Sequence, residues 1–350
     1  MSSRYASITG WGHYAPPTVV TNDDLAQKMD TSDEWIRSRS GIRERRFAGE
    51  GETTATMSVA SGREALERAG VDPQELDLIL VATSSPDYLT PPVSSQVQAM
   101  LGAEGVGAMQ ITVGCTGFVY ALVTAQQFIQ AGTCDAVLVI GTELISRWLS
   151  YDNRSTAVLF GDGSGAVVVQ ATDAPCGVVG HVLGSDGTGA EHIIVPAGGV
   201  AQPATHEAID DDRINVKMNG REVFKFATRI MGQALDEALA DAGMGVDDID
   251  LFVPHQANRR IIEYAAQEAG LPMEKVAVNV DRYGNTSAAS VPLALAEAFD
   301  DGRVQPGDTL ALVAFGAGLT WASAIVELAA DLPALGERTT SPQDEAAPLP

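Results

Sequence analysis

The order of elements in this 350-residue chain runs through once and then begins again. Arg63-Glu64-Ala65-Leu66-Glu67-Arg68-Ala69-Gly70 recurs as Asp236-Glu237-Ala238-Leu239-Ala240-Asp241-Ala242-Gly243, and Leu76-Asp77-Leu78-Ile79-Leu80 recurs as Ile249-Asp250-Leu251-Phe252-Val253, at an offset of 173 in both cases. Val276 to Val280 followed by Asn285 stands where 110–113 followed by Cys115 stood, at an offset of 170, and Thr309 to Ala314 matches the run at 136–140. Each copy has a helix stopped by glycine and then a near-continuous apolar run, as in a strand buried on both faces of a parallel sheet. The pattern predicts a duplicated α/β unit, with halves 1–175 and 176–330 and a Pro-, Ser-, Thr- and acid-rich disordered tail at 331–350. Packed about a pseudo-twofold, two such copies bring equivalent turns together, so Cys115 and the 284–287 turn are expected to face one cleft.

Cys115 lies in Gln110-Ile111-Thr112-Val113-Gly114-Cys115-Thr116-Gly117. A short alternating strand precedes it, and a long apolar run to Ile129 follows, which predicts a buried helix ending near Ala131-Gly132. A sulfur at a helix N-terminus sees exposed N–H groups and the positive end of the helix dipole, which favour a thiolate and can receive an oxyanion. The other reading is a small cysteine packed in a turn.

Other elements follow from local signals. Tyr5 to Trp11 reads as a strand, and Pro16-Pro17 excludes the dinucleotide fingerprint that Gly10-Trp11-Gly12 loosely resembles. Thr54 to Ala69 reads as a helix, and Ser94 as the cap of a helix through Leu101. Val158 to Val169 reads as two short strands joined by a tight glycine turn, and Ser164 there fails the spacing of a serine-hydrolase elbow.

Composition excludes several classes. The net charge of −24 disfavours nucleic acid and anionic membranes as partners. No run approaches the ~18 apolar residues of a membrane span, and Met1-Ser2-Ser3-Arg4-Tyr5 contains no apolar leader core. Three cysteines, Cys115, Cys134 and Cys176, predict a reducing, cytoplasmic setting, and no Cys/His cluster predicts a metal. Against this acidic background, Arg37, Arg39, Arg43, Arg45 and Arg46 crowd together, as an anion site or as partners of Asp33, Glu34 and Glu44. Arg213, Lys217, Arg221, Lys225 and Arg229, four apart, make one basic stripe if helical; it is either a solvated face or a dock for an acidic partner.

Polar signals collect at strand ends: Cys115, His255 in Val253-Pro254-His255-Gln256-Ala257-Asn258, and Asn285 in Tyr283-Gly284-Asn285-Thr286-Ser287. Strand carboxyl ends are where α/β sheets build sites. The Gly-rich stretch Phe315-Gly316-Ala317-Gly318-Leu319-Thr320-Trp321 also follows a buried strand. These motifs, with Thr31-Ser32-Asp33-Glu34-Trp35, Gly41-Ile42-Arg43-Glu44-Arg45, Phe160-Gly161-Asp162-Gly163 and Gly284-Asn285-Thr286-Ser287-Ala288-Ala289-Ser290-Val291-Pro292, resemble those of the β-ketoacyl-acyl-carrier-protein synthase III family of thiolase-like condensing enzymes, in order and over about residues 5 to 328.

The resemblance implies a layered αβαβα thiolase-like fold and a decarboxylative condensation of an acyl-CoA primer with malonyl-carrier protein. It implies Cys115 as nucleophile, His255 and Asn285 as enolate donors, and an oxyanion hole from the N–H groups of Cys115, Gly316 and Ala317. Trp35 and Arg154 would sandwich the adenine of CoA, with Arg39 near its phosphates. Phe315 would border the acyl pocket, and the small Thr90 would close the pocket of a homodimer partner. Lys225, Arg260 and Arg221 would dock the acidic carrier protein, and no cofactor is implied. The alternatives are transfer of the acyl group to a different nucleophile in specialised metabolism and a non-catalytic acyl-CoA-sensing scaffold. Gly114 and Thr116 stand where the family often has alanine, and Ala317 where it usually has glycine. A positive φ at 317 would strain the loop.

Overall fold

The computed structural model describes residues 4–330; the tail expected at 331–350 lies outside the described residues. Two sheets have the same strand order. In the first, Gly107–Ile111, Leu78–Ala82 and Ala136–Glu143 run parallel, followed by Gly163–Thr172 and Tyr5–Tyr14, each antiparallel to its neighbour. In the second, Leu251–Pro254 and Thr309–Gly316 run parallel, followed by Thr320–Glu327 and Gly177–Ser185, again antiparallel. The strand expected over 276–280 is reduced to one parallel bridge, Phe252 to Val276. From Val280 the chain turns into a short helix, Val280–Tyr283.

Side-chain alternation builds the layers. Along Leu78–Ala82, Leu80 and Ala82 face the central core while Ile79 and Val81 face an outer one. Along Thr309–Gly316, Leu310, Leu312 and Ala314 face the centre while Ala311, Val313 and Phe315 face outward. Helices Gly117–Gln130 and Ser290–Asp300 fill the central layer through Phe118, Leu122, Leu295 and Phe299. Thr54–Ala69 and Val93–Leu101 cover the outside of the first sheet, and Gly220–Ala242 and Arg259–Glu268 that of the second. The result is the expected αβαβα sandwich, in which strands buried on both faces need near-continuous apolar sequence.

Local expectations fared unevenly. Thr54–Ala69 forms as expected, capped by Thr53 and stopped by Gly70 in the left-handed conformation. Ser94 does not cap its helix; Pro92 is the N-cap residue, without a side-chain hydrogen bond. Val158 to Asp162 is not a strand: Arg154–Ala157 is a short helix, Phe160 makes one bridge to Asn285, and the strand begins at Gly163. The basic stripe is shorter than its spacing suggests. The long helix starts at Gly220, Lys217 lies on a two-residue strand paired with Asp212, and Arg213 pairs with Glu207 and Asp211, which leaves Arg221, Lys225 and Arg229 on the helix.

Leu80 is fully buried in the central layer. Leu80→Ala is expected to lower unfolding stability by about 2–5 kcal/mol, the usual cost of such a cavity; urea denaturation followed by circular dichroism measures it.

Candidate active site

Cys115 sits in a single 3-10 turn, Gly114–Thr116, that leads into the helix Gly117–Gln130. Two backbone segments meet there. Gly114 adopts φ +59°, and a Cβ on it would lie 2.9 Å from Ala317 N and 3.2 Å from Ala317 Cβ. Gly316 approaches so closely that a Cβ there would lie 2.6 Å from Cys115 N. Ala317 is not among the residues with positive φ, so the loop accepts alanine without the backbone strain that a left-handed position would bring. A Cβ on Gly114 would meet the backbone of Ala317 first, N at 2.9 Å and O at 3.0 Å, and the methyl only at 3.2 Å, so glycine at 114 makes room for the 317 backbone as well as for its methyl.

The second half supplies the opposite wall. Asn285 is held to the 159–161 loop by two backbone bonds, Asn285 N–H to Leu159 O (2.8 Å) and Gly161 N–H to Asn285 O (3.0 Å). A Cβ on Gly161 would lie 2.2 Å from Tyr283 O, which is why glycine is needed in Phe160-Gly161-Asp162-Gly163. Buried Asp162 anchors that loop by accepting from the N–H groups of Ala48 and Ser146 and the hydroxyl of Ser146. Asn285 Oδ1 accepts from Ser287 N–H (2.9 Å), which turns the Asn285 amide NH2 away from its own loop.

His255 follows the strand Leu251–Pro254 and is 1% exposed. Its Nδ1 lies 2.6 Å from Ser290 Oγ, and Phe315 meets its ring edge-on at 5.3 Å between centroids. Gln256 fixes the turn: its Oε1 accepts from Asn279 and Val280 N–H, and its Nε2 donates to Pro254 and Ala277 carbonyls. Asn258 caps the next helix and donates to Arg39 O.

Cys115, His255, Asn285, Phe315, Gly316 and Ala317 all border one cavity of about 550 Å3 with a predominantly apolar wall. Burial controls its electrostatics. It pushes the Cys115 thiol up to about 12; a hydrogen bond from Ser287 and the N–H groups of Cys115 and Ala317 oppose the rise, and the nearby Glu143 adds to it. The thiolate expected from the helix terminus is therefore not the resting form, because loss of water outweighs the helix end. Burial also lowers His255 to about 3, so a neutral imidazole, not a cation, borders the cavity.

The expected ligand contacts occupy the rim. Trp35 and Arg39 line the cavity. Arg154 lies against Trp35, with its guanidinium carbon 4.6 Å from the ring centroid, and donates to Asp30 O. In this conformation no gap for a third ring separates them. Arg221, Lys225 and Arg260 are exposed beside cavity-lining Gly220, Phe224 and Ile261; Lys225 pairs with Glu222, and Arg260 stacks over Phe224. Thr90 is exposed and is not among the residues lining this cavity. The arginine cluster divides: Arg37 and Arg46 pair with Asp33 and Glu44, while Arg45 is buried and donates to Val20 O, Asn22 Oδ1 and Val158 O. Sequence reading missed Glu143, Ser287 and Ser290. The latter two lay in plain view within the Asn285 motif, whereas Glu143 ends an apolar strand and carries no local signal.

Two stacked sheets with duplicated order, and a cysteine, a histidine and an asparagine brought from both halves to one cavity, define a thiolase-like condensing acyltransferase. Comparisons with known proteins agree. The family model described as 3-oxoacyl-[acyl-carrier-protein (ACP)] synthase III matches residues 109–187, and its C-terminal counterpart matches 239–328. A β-ketoacyl-[acyl-carrier-protein] synthase III of Roseiflexus sp. is 49% identical over 93% of this chain and 98% of its own. The crystal structure of synthase III from Thermus thermophilus is similar with a TM-score of 0.85 and 45% identity, covering 93% of this chain and 99% of that one. The priming β-ketosynthase of the R1128 polyketide pathway is similar with a TM-score of 0.87 and 37% identity, covering 95% and 98%. The chain belongs to the β-ketoacyl-acyl-carrier-protein synthase III family.

The fit between positions 114 and 317 can be tested. Gly114→Ala is expected to lower the melting temperature and slow acylation of Cys115. Adding Ala317→Gly should recover the part of the loss due to the methyl contact, but neither the part due to the 317 backbone nor the ~1–2 kcal/mol cost of left-handed alanine. Thermal melts and adduct-formation rates of the single and double variants measure both; strictly additive effects would show that the two positions do not interact.

Proposed function

We infer that the protein moves an acyl group from acyl-CoA to Cys115 and condenses it with malonyl-acyl carrier protein, the first condensation of a fatty-acid chain. One observation carries this reading: Cys115, His255 and Asn285 border a single, predominantly apolar cavity. It suits a chain of two half-domains, 1–175 and 176–330, each contributing to one site. Such a cavity suits an acyl thioester, with few polar groups placed to orient it.

In the first step the Cys115 thiolate attacks the acyl carbon, and the N–H groups of Cys115, Gly316 and Ala317 receive the oxyanion. Collapse expels the CoA thiolate. Malonyl-carrier protein then loses CO2, and His255 and Asn285 donate hydrogen bonds to the enolate oxygen. The Ser290 hydroxyl, donating to His255 Nδ1, leaves the proton on Nε2, where the enolate needs it. The enolate carbon attacks the thioester, and the tetrahedral alkoxide expels Cys115 as thiolate. A neutral imidazole serves because it donates a hydrogen bond without releasing its proton. No cofactor enters this sequence.

Trp35, Arg39 and Arg154 form the CoA rim, with Arg154 swinging off Trp35 to admit the adenine. Arg221, Lys225 and Arg260 are local cations on a chain of net charge −24, and they suit an acidic carrier protein. A homodimer is supported by the edge strand Gly107–Ile111 and by the nearby exposed apolar side chains of Met109 (37%), Tyr88 (60%) and Leu89 (85%). In that dimer Thr90 closes the partner's acyl pocket beside Phe315. Thr90 is small, so acyl groups longer than acetyl are accepted. The setting is cytoplasmic; no helix of the described residues is long and apolar enough to cross a membrane.

Intact-mass measurement after exposure to acyl-CoAs of increasing length should give one acyl adduct per chain, present with primers longer than acetyl and absent in Cys115→Ala. An adduct that survives Cys115→Ala, or reaction with acetyl-CoA alone, would contradict these assignments. His255→Gln should slow malonyl-carrier-protein decarboxylation by about 10²–10³-fold, as for loss of one oxyanion donor. Because His255 stays neutral down to about pH 3, the wild-type rate should show no histidine limb near pH 6.5. A limb there that disappears in the variant would mean that the imidazole titrates.

A further inference from the structure

Beneath Cys115 lies a buried carboxylate for which the condensation chemistry has no use. Glu143, at the end of the strand Ala136–Glu143, is 0% exposed. Its carboxylate accepts from the N–H groups of Ser84 (3.1 Å) and Ser85 (3.1 Å), the Ser85 hydroxyl (2.5 Å) and the Thr83 hydroxyl (3.3 Å). Ser287 joins it to the nucleophile: its Oγ lies 3.0 Å from Glu143 Oε1 and 3.3 Å from Cys115 Sγ. Ser287 also holds φ +51°, one of two non-glycine residues with positive φ among those described. Non-glycine residues are rarely held there, and they cluster at functional sites.

A hydroxyl has one proton, and its two neighbours decide where it points. With Glu143 ionised, Ser287 donates to the carboxylate and the Cys115 thiol donates to Ser287. With Glu143 protonated, the carboxylic acid donates to Ser287, and Ser287 donates to a Cys115 thiolate. The two arrangements differ by a concerted shift of two protons and keep one negative charge in the buried cluster. Burial disfavours the charged form of both end groups, so a single shared charge costs far less than two. His255 Nδ1 is engaged by Ser290, whereas the Ser287 hydroxyl lies within reach of the thiol proton.

We propose that Ser287 and Glu143 form the proton relay that ionises Cys115 for acyl transfer, with Ser287 contacting the sulfur and Glu143 holding the proton. The proposal rests on Cys115 being the acylated nucleophile. As Sγ attacks the acyl carbon, the thiol proton passes to Ser287 Oγ and the Ser287 proton to Glu143. When the tetrahedral adduct expels the CoA thiolate, Glu143 returns a proton to Ser287 and Ser287 passes its own to the departing CoA sulfur, so CoA leaves as the thiol. Protons balance, and no external base is consumed. Among the described residues, Glu143 meets Thr83, Ser84, Ser85, Ser287 and, across the sheet, Gly163, none of them titratable, and Cys115 is the titratable group that its charge acts on.

The test is the rate of adduct formation at Cys115, with acyl-CoA and separately with iodoacetamide, in the full-length protein from pH 6 to 10. Glu143→Gln keeps the shape and loses the proton acceptor; Ser287→Ala cuts the link. Both should slow acylation and alkylation by about 10²-fold near pH 7, the low end for general acid–base catalysis. The deficit should shrink toward pH 10, where hydroxide takes over the task. Wild-type rates in either folded variant, or an equal deficit at every pH, would overturn the relay while leaving Cys115 as nucleophile; adduct formation in Cys115→Ala would overturn the nucleophile itself. Wild-type protein gives an independent reading if a variant fails to fold. Its acylation rate against D2O fraction should bow downward when two protons move together, and a straight or flat line would exclude the relay.

Discussion

The active cavity exists because two helices share one central layer. Gly117–Gln130 and Ser290–Asp300 lie between the sheets, and each starts just after a turn that carries reactive side chains. Cys115 precedes the first; Asn285 and Ser287 precede the second. Packing the apolar faces of these helices against both sheets is what brings residues about 170 positions apart into contact, including Ser287 Oγ at 3.3 Å from Cys115 Sγ. Each buried leucine or phenylalanine in that layer contributes roughly 1.5–3 kcal/mol, whereas the polar contacts at the turns contribute roughly one each. The hydrophobic layer sets the position, and the hydrogen bonds refine it.

Desolvation then dictates the chemistry. Cys115, His255 and Glu143 are all shifted by burial toward their neutral forms. A helix N-terminus supplies only about half a unit of positive charge, too little to offset removal of the thiol from water. Oriented donors complete the work in a dry site, where each is worth more than in solution. Buried Asp162 and Arg45 follow the same logic at a distance: each has several fixed partners, and they tie the segment around 158–162 to Asn22, Ala48 and Ser146 within the first half.

Close backbone approach is the third requirement. The turns at 114, 161 and 316 admit no added side-chain atom without collision. The backbone at 317 packs against Gly114 so closely that a side-chain atom at 114 would meet its N and O before its methyl. Arg154 resting on Trp35 is the comparable feature at the rim, where side chains retain freedom to move.

The sequence by itself determined the duplication, because buried parallel strands and glycine-stopped helices leave a periodic apolar trace that the offset of 173 preserves. It also determined Cys115, His255 and Asn285, each at the end of a legible strand or in a legible turn. Tertiary structure alone decided what lay against what. Val276 to Val280 has strand-like composition but meets its neighbour at one bridge. Lys217 has helical spacing but belongs to a short strand held by Asp212. Glu143 is an ordinary acidic residue at the end of an apolar run until the fold closes Thr83, Ser84, Ser85 and Ser287 around it. The physical reason is the same in each case: periodicity records which face is buried, while protonation and pairing depend on neighbours that only long-range packing supplies.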